Sequence, residues 1–491
     1  MATKKEIRQL NKKDLTVDDF INNPRVKACE EYVLNNPKIV SDVLDEKGNQ
    51  YVNLVQKGGG VLGVALVGYV YILEKAGIRF LKLAGTSAGA INTSLMAIQK
   101  DKTEAKSEYV IKALADLNMI RLVDGHPLVR KIIQRFVKEP DFFKRVKKLL
   151  LIVGLSLLGL LAVSFITLGL QQKHSCILIR AVACGAFILT GLYFLCISVV
   201  GYYLSTLLRR LKTAGFGINP GDFFYDWVKA HMKENEIETV DQLINRAQEK
   251  PAFKMRSPRT EPVNDLDGDV VFIASELVTQ NKFELPRMAD LFRPPGRRNE
   301  LQPAGFVRAS MAIPVFFESY YIKEIPSDNA AIQKAWQDAF NFKEGERPPE
   351  TLRFVDGGIL SNFPINLFYN KSIDTPRMPT FGIDLDDTKE QDQKDVPENW
   401  SFPGYLGRMF NTIRFYYDKD FSLQNRIMNK GVGSIKVAEY NWLNFFLTND
   451  QKIDLFAKGA EAAKAFLDGF NWEEYKDDRA KFTAEQKKEL L

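Results

Sequence analysis

The residues Gly85-Thr86-Ser87-Ala88-Gly89 carry the clearest chemical signal in the chain. A serine with small neighbours on both sides fits a sharp strand-to-helix turn. Such a turn exposes Oγ as a nucleophile and aims the start of the next helix at developing negative charge. About one βα unit upstream, Lys57 is followed by Gly58, Gly59 and Gly60. Bare backbone N–H groups at a strand-to-helix turn form a nest for an anion, and in acyl transfer they would hold the tetrahedral oxyanion. Phosphate binding is the competing use, but the G-x-x-x-x-G-K-[ST] pattern is absent. Asp356-Gly357-Gly358 closes a predicted strand. An isolated Asp-Gly pair is more often a turn, yet a carboxylate at a strand tip is also placed to meet Ser87. The histidine count chooses between mechanisms. His126, His174 and His231 are the only three, and all precede Asp356. A triad in the order serine, acid, histidine cannot be built on Asp356, whereas a Ser–Asp dyad can. Few histidines, and no CxxC pair among Cys29, Cys176, Cys184 and Cys196, argue against a zinc site or a disulfide framework. No cofactor or metal is expected.

The elements around these residues alternate. Residues 51–56 (YVNLVQ) read as a strand, and the glycines lead into an apolar helix that stops at Gly77. Residues 78–85 (IRFLKLAG) read as a second strand, with a helix after Ser87. This βαβ order predicts a parallel sheet with its chemistry at the C-terminal strand ends. Further strands are expected at GDVVFIASEL, LRFVDGG, PTFGIDLDD and SIKVAEY, and helices over 219–250 and 452–470. Residues 1 to about 50 look helical and polar.

Two stretches interrupt this alternation. Leu149 to Leu170 is 22 residues long and Ala181 to Leu208 is 28, both without a charge. About 20 residues of helix cross the hydrocarbon core of a bilayer. The short connection QQKHSCILIR makes the two an antiparallel hairpin. Lys144, Arg145, Lys147 and Lys148 precede it, and Arg209, Arg210 and Lys212 follow it, against Lys173 and Arg180 in the turn. The positive-inside rule then places both termini and the rest of the chain on the cytoplasmic side. A buried hairpin inside a soluble core is the alternative, though charge-free runs of this length are rare there. The polar start, MATKKEIRQLNKKDL, has no apolar h-region, so no signal peptide is expected. The formal charge of +6 over 491 residues is mild and does not point to nucleic acid. The expected partners are membrane lipids. Gly154, Gly159 and Ala162 would serve either a homo-oligomeric helix contact or packing within the hairpin.

Several blocks in one order carry a family resemblance. KGGGVLGVALVGYVYILEKAGI, LAGTSAGAINTSLMA, VRASMAIPVFF (Val307 to Phe317) and FVDGGILSNFPI are similar to the glycine-rich, nucleophile, A-S-x-A-x-P-x-x-F and D-G-G blocks of the patatin-like phospholipases. GDFFYDWVKAHM and VFIASELVTQ resemble weaker family segments. The resemblance runs from about Tyr51 to Asp387. It implies an α/β fold, a three-layer α/β/α domain carrying an inserted two-helix transmembrane hairpin. It also implies Ser87 as nucleophile, Asp356 as the dyad base and Gly58, Gly59 and Gly60 as the oxyanion hole. Five regions follow: an N-terminal helical extension (1–50), the first part of the patatin-like domain (51–148), the hairpin (149–208), the second part (209–387) and an aromatic, helical C-terminal region (388–491).

Three departures stand out. Many family members carry Arg or Lys two residues after the third glycine, where this chain has Leu62. Arg308 is a candidate substitute for a lipid head-group contact, with a plain surface arginine as the more common use. The other departures are the hairpin itself and DNAAIQKAWQDAFNFKEGERPPE, which is either a lid (327–350) or a packed surface helix. The expected activity is hydrolysis of fatty-acyl esters of glycerophospholipids through an acyl-serine. A lysophospholipid or neutral-lipid esterase or a transacylase is the alternative within the class, and a catalytically idle membrane scaffold the one outside it. A channel or transporter finds little support, since neither span holds an ionisable residue.

Overall fold

The computed structural model describes residues 15–127, 130, 131, 134, 135, 142–173, 177–213, 215–256, 266–370, 373–387 and 402–489. Residues 1–14, where the absence of a signal peptide was read, lie outside these. So do His174, Cys176 and the charged stretch 388–400. The chain forms two compact units, Met1–Asp124 with Asn219–Leu491, and Gly125–Ile218.

The first unit is built on a mixed sheet. Its strands used here are β1 (Gln50–Gln56), β2 (Ile78–Thr86), β3 (Asp269–Glu276), β4 (Lys282–Leu285), β5 (Tyr320–Ile322), β6 (Leu352–Asp356), β7 (Thr380–Asp386) and β8 (Val432–Lys436). The spatial order is β8-β7-β1-β2-β3-β6-β5, with β4 also paired to β3. From β8 to β3 all neighbours run parallel. β1 and β3 are almost continuously buried, which is why they read as unbroken apolar runs. The expected parallel sheet is corrected at its margins: β6 runs antiparallel to β3 and to β5, β4 runs antiparallel to β3, and Val43–Leu44 runs antiparallel to β1. Apolar patterning reports which face of a strand is buried, not which way the strand runs.

One core cluster joins Val55, Ala84, Val271 and Ile273 of the sheet to Ile365 and Phe368, with Phe421 packed against it. The N-terminal region is not helical throughout. After a helix over Pro24–Asn35, Val43–Leu44 forms a strand on the edge of β1, with Val43 fully buried. The helix Ala330–Phe340 inserts Trp336 among Phe283, Phe340 and Phe342. Trp336 Nε1 donates to Leu291 O at 2.9 Å. A packed helix, rather than a cover, is what these contacts describe. Asp124, at the end of the first segment, accepts the N–H groups of Gly221 (3.0 Å) and Phe223 (3.2 Å), at the start of the helix Asp222–Glu234.

The second unit contains two long helices, Phe142–Lys173 and Ile177–Thr213. Lys144–Leu170 and Arg180–Tyr203 are long and apolar enough to cross a membrane, and only 6% and 17% of their most apolar windows are buried. Their seam is small and polar: Ser164 Oγ lies 3.2 Å from Thr190 Oγ1, and Tyr193 OH donates to Val153 O at 2.8 Å. Ala183 and Ala186 are buried there. Gly154, Gly159 and Ala162 face outward instead, so they do not make the contact within the hairpin.

Candidate active site

Ser87 sits where β2 turns into the helix Ala88–Ala97, with φ 52° and ψ −117°. This is the mirror image of an ordinary extended residue, a conformation costly for any side chain but glycine. Ser87 N donates to Ser310 Oγ at 3.0 Å, and Ser87 O accepts from Ile91 N at 3.1 Å. The small flanking residues are required by contact. A Cβ on Gly85 would lie 2.3 Å from Gly89 C, and one on Gly89 would lie 2.2 Å from Gln56 O.

Asp356 ends β6. Its register explains how two residues 269 positions apart in sequence come alongside one strand. Thr86 on β2 pairs with Ile273 of β3, and Asp356 pairs with Ala274 on the other side of the same strand. Gly357 crosses so close over β3 that a Cβ there would meet Ile273 O at 2.1 Å. Asp356 N donates to Ala312 O at 2.8 Å, and its Oδ1 accepts from Gly358 N at 2.7 Å. Both Ser87 and Asp356 are nearly buried, at 5% and 6% exposure. Asp356 therefore meets little bulk water.

The glycine loop lies against the serine. A Cβ on Gly58 would fall 3.2 Å from Ser87 Cβ and 2.4 Å from Asn362 Oδ1. The resemblance gives all three glycines to the oxyanion hole, and in the structure their N–H groups differ in what they meet. Gly58 N–H already donates to Asn362 O at 3.0 Å. Gly59 and Gly60 N–H have no acceptor among the described residues. Gly60 takes φ +55°, the left-handed turn that makes glycine the natural residue there.

Around Ser87 opens a cleft of about 580 Å³, part of it open to solvent. Gly60, Ser87 and Asn92 line it, and Leu114, Leu117, Met119, Leu122, Met311 and Phe445 are among its apolar walls. Leu62 is buried, at 1% exposure, so a lipid head group does not reach it. Arg308 is not a surface residue either. It is 4% exposed, donates to Pro220 O and Glu318 O at 2.6 and 2.8 Å, and faces the Phe317 ring. Burial pushes its guanidinium down to about 10. It clamps backbone together rather than waiting for a ligand.

Sequence reasoning missed Ser310, Asn362, Ser361 and the cleft residues. Ser310, Ser361 and Asn362 lie inside the blocks similar to the family, but nothing in their own residue types marks them. Of the histidines, His231 bonds Tyr109 OH at 2.8 Å and meets the Trp227 ring edge-on. His126 meets Tyr203. Among the described residues no group of three or more His, Cys, Asp or Glu side chains is arranged to hold a metal ion.

Residues 54–369 match the family model described as "Patatin-like phospholipase". The chain is 24% identical over 418 residues to "Uncharacterized protein YqhO" of Bacillus subtilis (strain 168), covering 85% of this chain and 98% of that protein. Among solved structures it is similar to VipD from Legionella pneumophila, at 15% identity and a TM-score of 0.33, covering 90% of this chain and 72% of that one.

Proposed function

This chain belongs to the patatin-like phospholipase family, and from that premise we propose that it is a membrane-anchored lipid acyl hydrolase acting on glycerophospholipids through an acyl-serine. Lipid acyl hydrolysis is the general activity of the domain. The residues, the substrate and the anchor are our reading.

Asp356 accepts the proton of Ser87 Oγ as the alkoxide attacks an ester carbonyl. The oxyanion takes hydrogen bonds from the unspent N–H groups of Gly59 and Gly60. Collapse expels the lyso-lipid, which leaves with the proton from Asp356. Asp356 then deprotonates a water, whose attack on the acyl-serine releases the fatty acid as the proton returns from Asp356 to Ser87 Oγ. The apolar cleft takes the acyl chain. The observation that carries this reading is the serine itself, held at positive φ between an apolar cleft and a glycine loop with two uncommitted donors.

The test replaces Ser87 or Asp356 with Ala and follows fatty-acid release from phospholipid vesicles. A loss of about 10³-fold or more is expected for each. A rate near wild type in either variant refutes the dyad.

The two apolar helices anchor the protein, and the flanking Lys and Arg residues put the catalytic unit on the cytoplasmic side. Their attraction for anionic lipid would keep the site at its two-dimensional substrate. A protein released from membranes by a carbonate wash would remove this part of the reading.

A further inference from the structure

The loop after Asp356 touches both the serine turn and the glycine loop. Ser361 N donates to Gly357 O at 2.9 Å. Thr86 Oγ1, on the residue before the nucleophile, donates to Ser361 O at 3.0 Å. Asn362 grips the glycine loop twice: its backbone O accepts from Gly58 N (3.0 Å), and its Nδ2 donates to Gly58 O (3.2 Å). One short segment therefore sets the carboxylate turn, the serine turn and the oxyanion loop relative to one another.

This segment has an anchor of its own. Asp418 lies on the helix Phe402–Gln424, beyond the stretch that matches the family model. Its Oδ1 accepts from Ser361 Oγ at 2.6 Å, and its Oδ2 accepts from Asn362 N at 2.6 Å and Phe363 N at 2.8 Å. Three donors from consecutive residues converge on one carboxylate. Charge-assisted bonds of this kind are shorter and stronger than neutral ones. Burial raises the Asp418 carboxyl, and the three donors oppose that rise. Phe421, one turn further along the helix, packs on the same core as Ile365 and Phe368, so the helix is fixed on the side that presents Asp418.

Resting on the acyl-serine reading above, we infer that Asp418 is a positioning residue for this site: it clamps Ser361–Phe363, and through Asn362 and Gly58 it sets where the oxyanion donors stand. It touches neither substrate nor nucleophile. Its effect is on the rate of the chemical step, not on substrate affinity.

The full chain in detergent is compared as wild type, Asp418→Asn and Asp418→Ala on a short-chain p-nitrophenyl ester. Active sites are counted by fluorophosphonate labelling of Ser87. For Asp418→Ala, kcat per labelled serine should fall about 10- to 100-fold with KM within about threefold, since a displacement approaching 1 Å costs on the order of 10²-fold. Asp418→Asn keeps an oxygen for the two backbone N–H groups and should recover most of that loss. A residue needed only for folding would instead lower the number of labelled sites and leave kcat per site unchanged, which overturns the proposal. Hydrogen exchange gives a readout that needs no activity. Asp418→Ala should speed exchange in peptides covering 57–62 and 361–365, and unchanged protection at 57–62 overturns the proposal as well. Ser87→Ala run alongside separates the two readings. Turnover surviving in Ser87→Ala strikes the acyl-serine mechanism, whereas wild-type kcat per site in Asp418→Ala strikes only the clamp.

Discussion

Gly58→Ala is the substitution whose outcome the structure constrains most tightly. The added Cβ would sit 2.4 Å from Asn362 Oδ1, with Ser87 Cβ and Thr86 O both at 3.2 Å. The first distance is roughly 1 Å inside van der Waals contact. Thr86 belongs to a buried strand and cannot retreat. Asn362 Oδ1 has no hydrogen-bond partner among the described residues, but when it moves, Nδ2 leaves Gly58 O. Either that bond breaks, costing about 0.5–1.5 kcal/mol, or the glycine loop lifts away from Ser87. Either route loosens the loop that carries Gly59 and Gly60, and a shift approaching 1 Å in those donors is expected. Misplacement on that scale, or loss of one oxyanion donor, costs about 10²-fold in kcat. The expected variant is folded, melts a few degrees lower, and hydrolyses a short-chain p-nitrophenyl ester about 100-fold more slowly with little change in KM. Gly469→Ala is the control, because a Cβ there meets nothing within 4 Å. If Gly58→Ala keeps kcat within about threefold of wild type, the loop does not supply the oxyanion donors and this reasoning fails.

Two further outcomes follow from the cleft and from the inserted helix. Leu117 is 5% exposed and lines the cleft with Met119 and Leu122. Leu117→Trp should lower turnover of long-chain esters relative to butyrate by about tenfold or more; an unchanged ratio would place the acyl chain elsewhere. Trp336→Ala empties a fully buried site and should cost about 3–5 kcal/mol, read as a lower melting temperature. Activity per folded molecule should be unchanged, and a faster enzyme would instead reveal Ala330–Phe340 as a cover over the site.

Much of this site was legible because its constraints are local. Gly85 and Gly89 flank Ser87 because a tight turn leaves no room for Cβ atoms, and tight turns are written in consecutive residues. The strands around them announced themselves by burial. Direction and register did not. Nothing in LRFVD says that it runs against its neighbour, yet that reversal brings Asp356 alongside Ala274. Gly58 looked equivalent to Gly59 and Gly60, since a glycine triplet cannot show which N–H is already engaged by a residue 304 positions away. Arg308 looked exposed because arginines usually are, and its burial depends on the carbonyls of Pro220 and Glu318. Asp418 carried no signal at all. An aspartate in an aromatic helix acquires meaning only from three donors that folding brings to it.

The bond from Asp124 to Gly221 and Phe223 has a consequence for the inserted segment. The catalytic unit leaves its path after Asp124 and resumes at Asn219, and a single carboxylate already ties those two ends together. The 94 residues between them enter and return at neighbouring points, and the main sheet of the first unit takes none of its strands from them. A few residues of flexible chain in their place would close the gap at small entropic cost. The proposed anchor is thus a self-contained insertion, separable from the unit that carries Ser87 and Asp356.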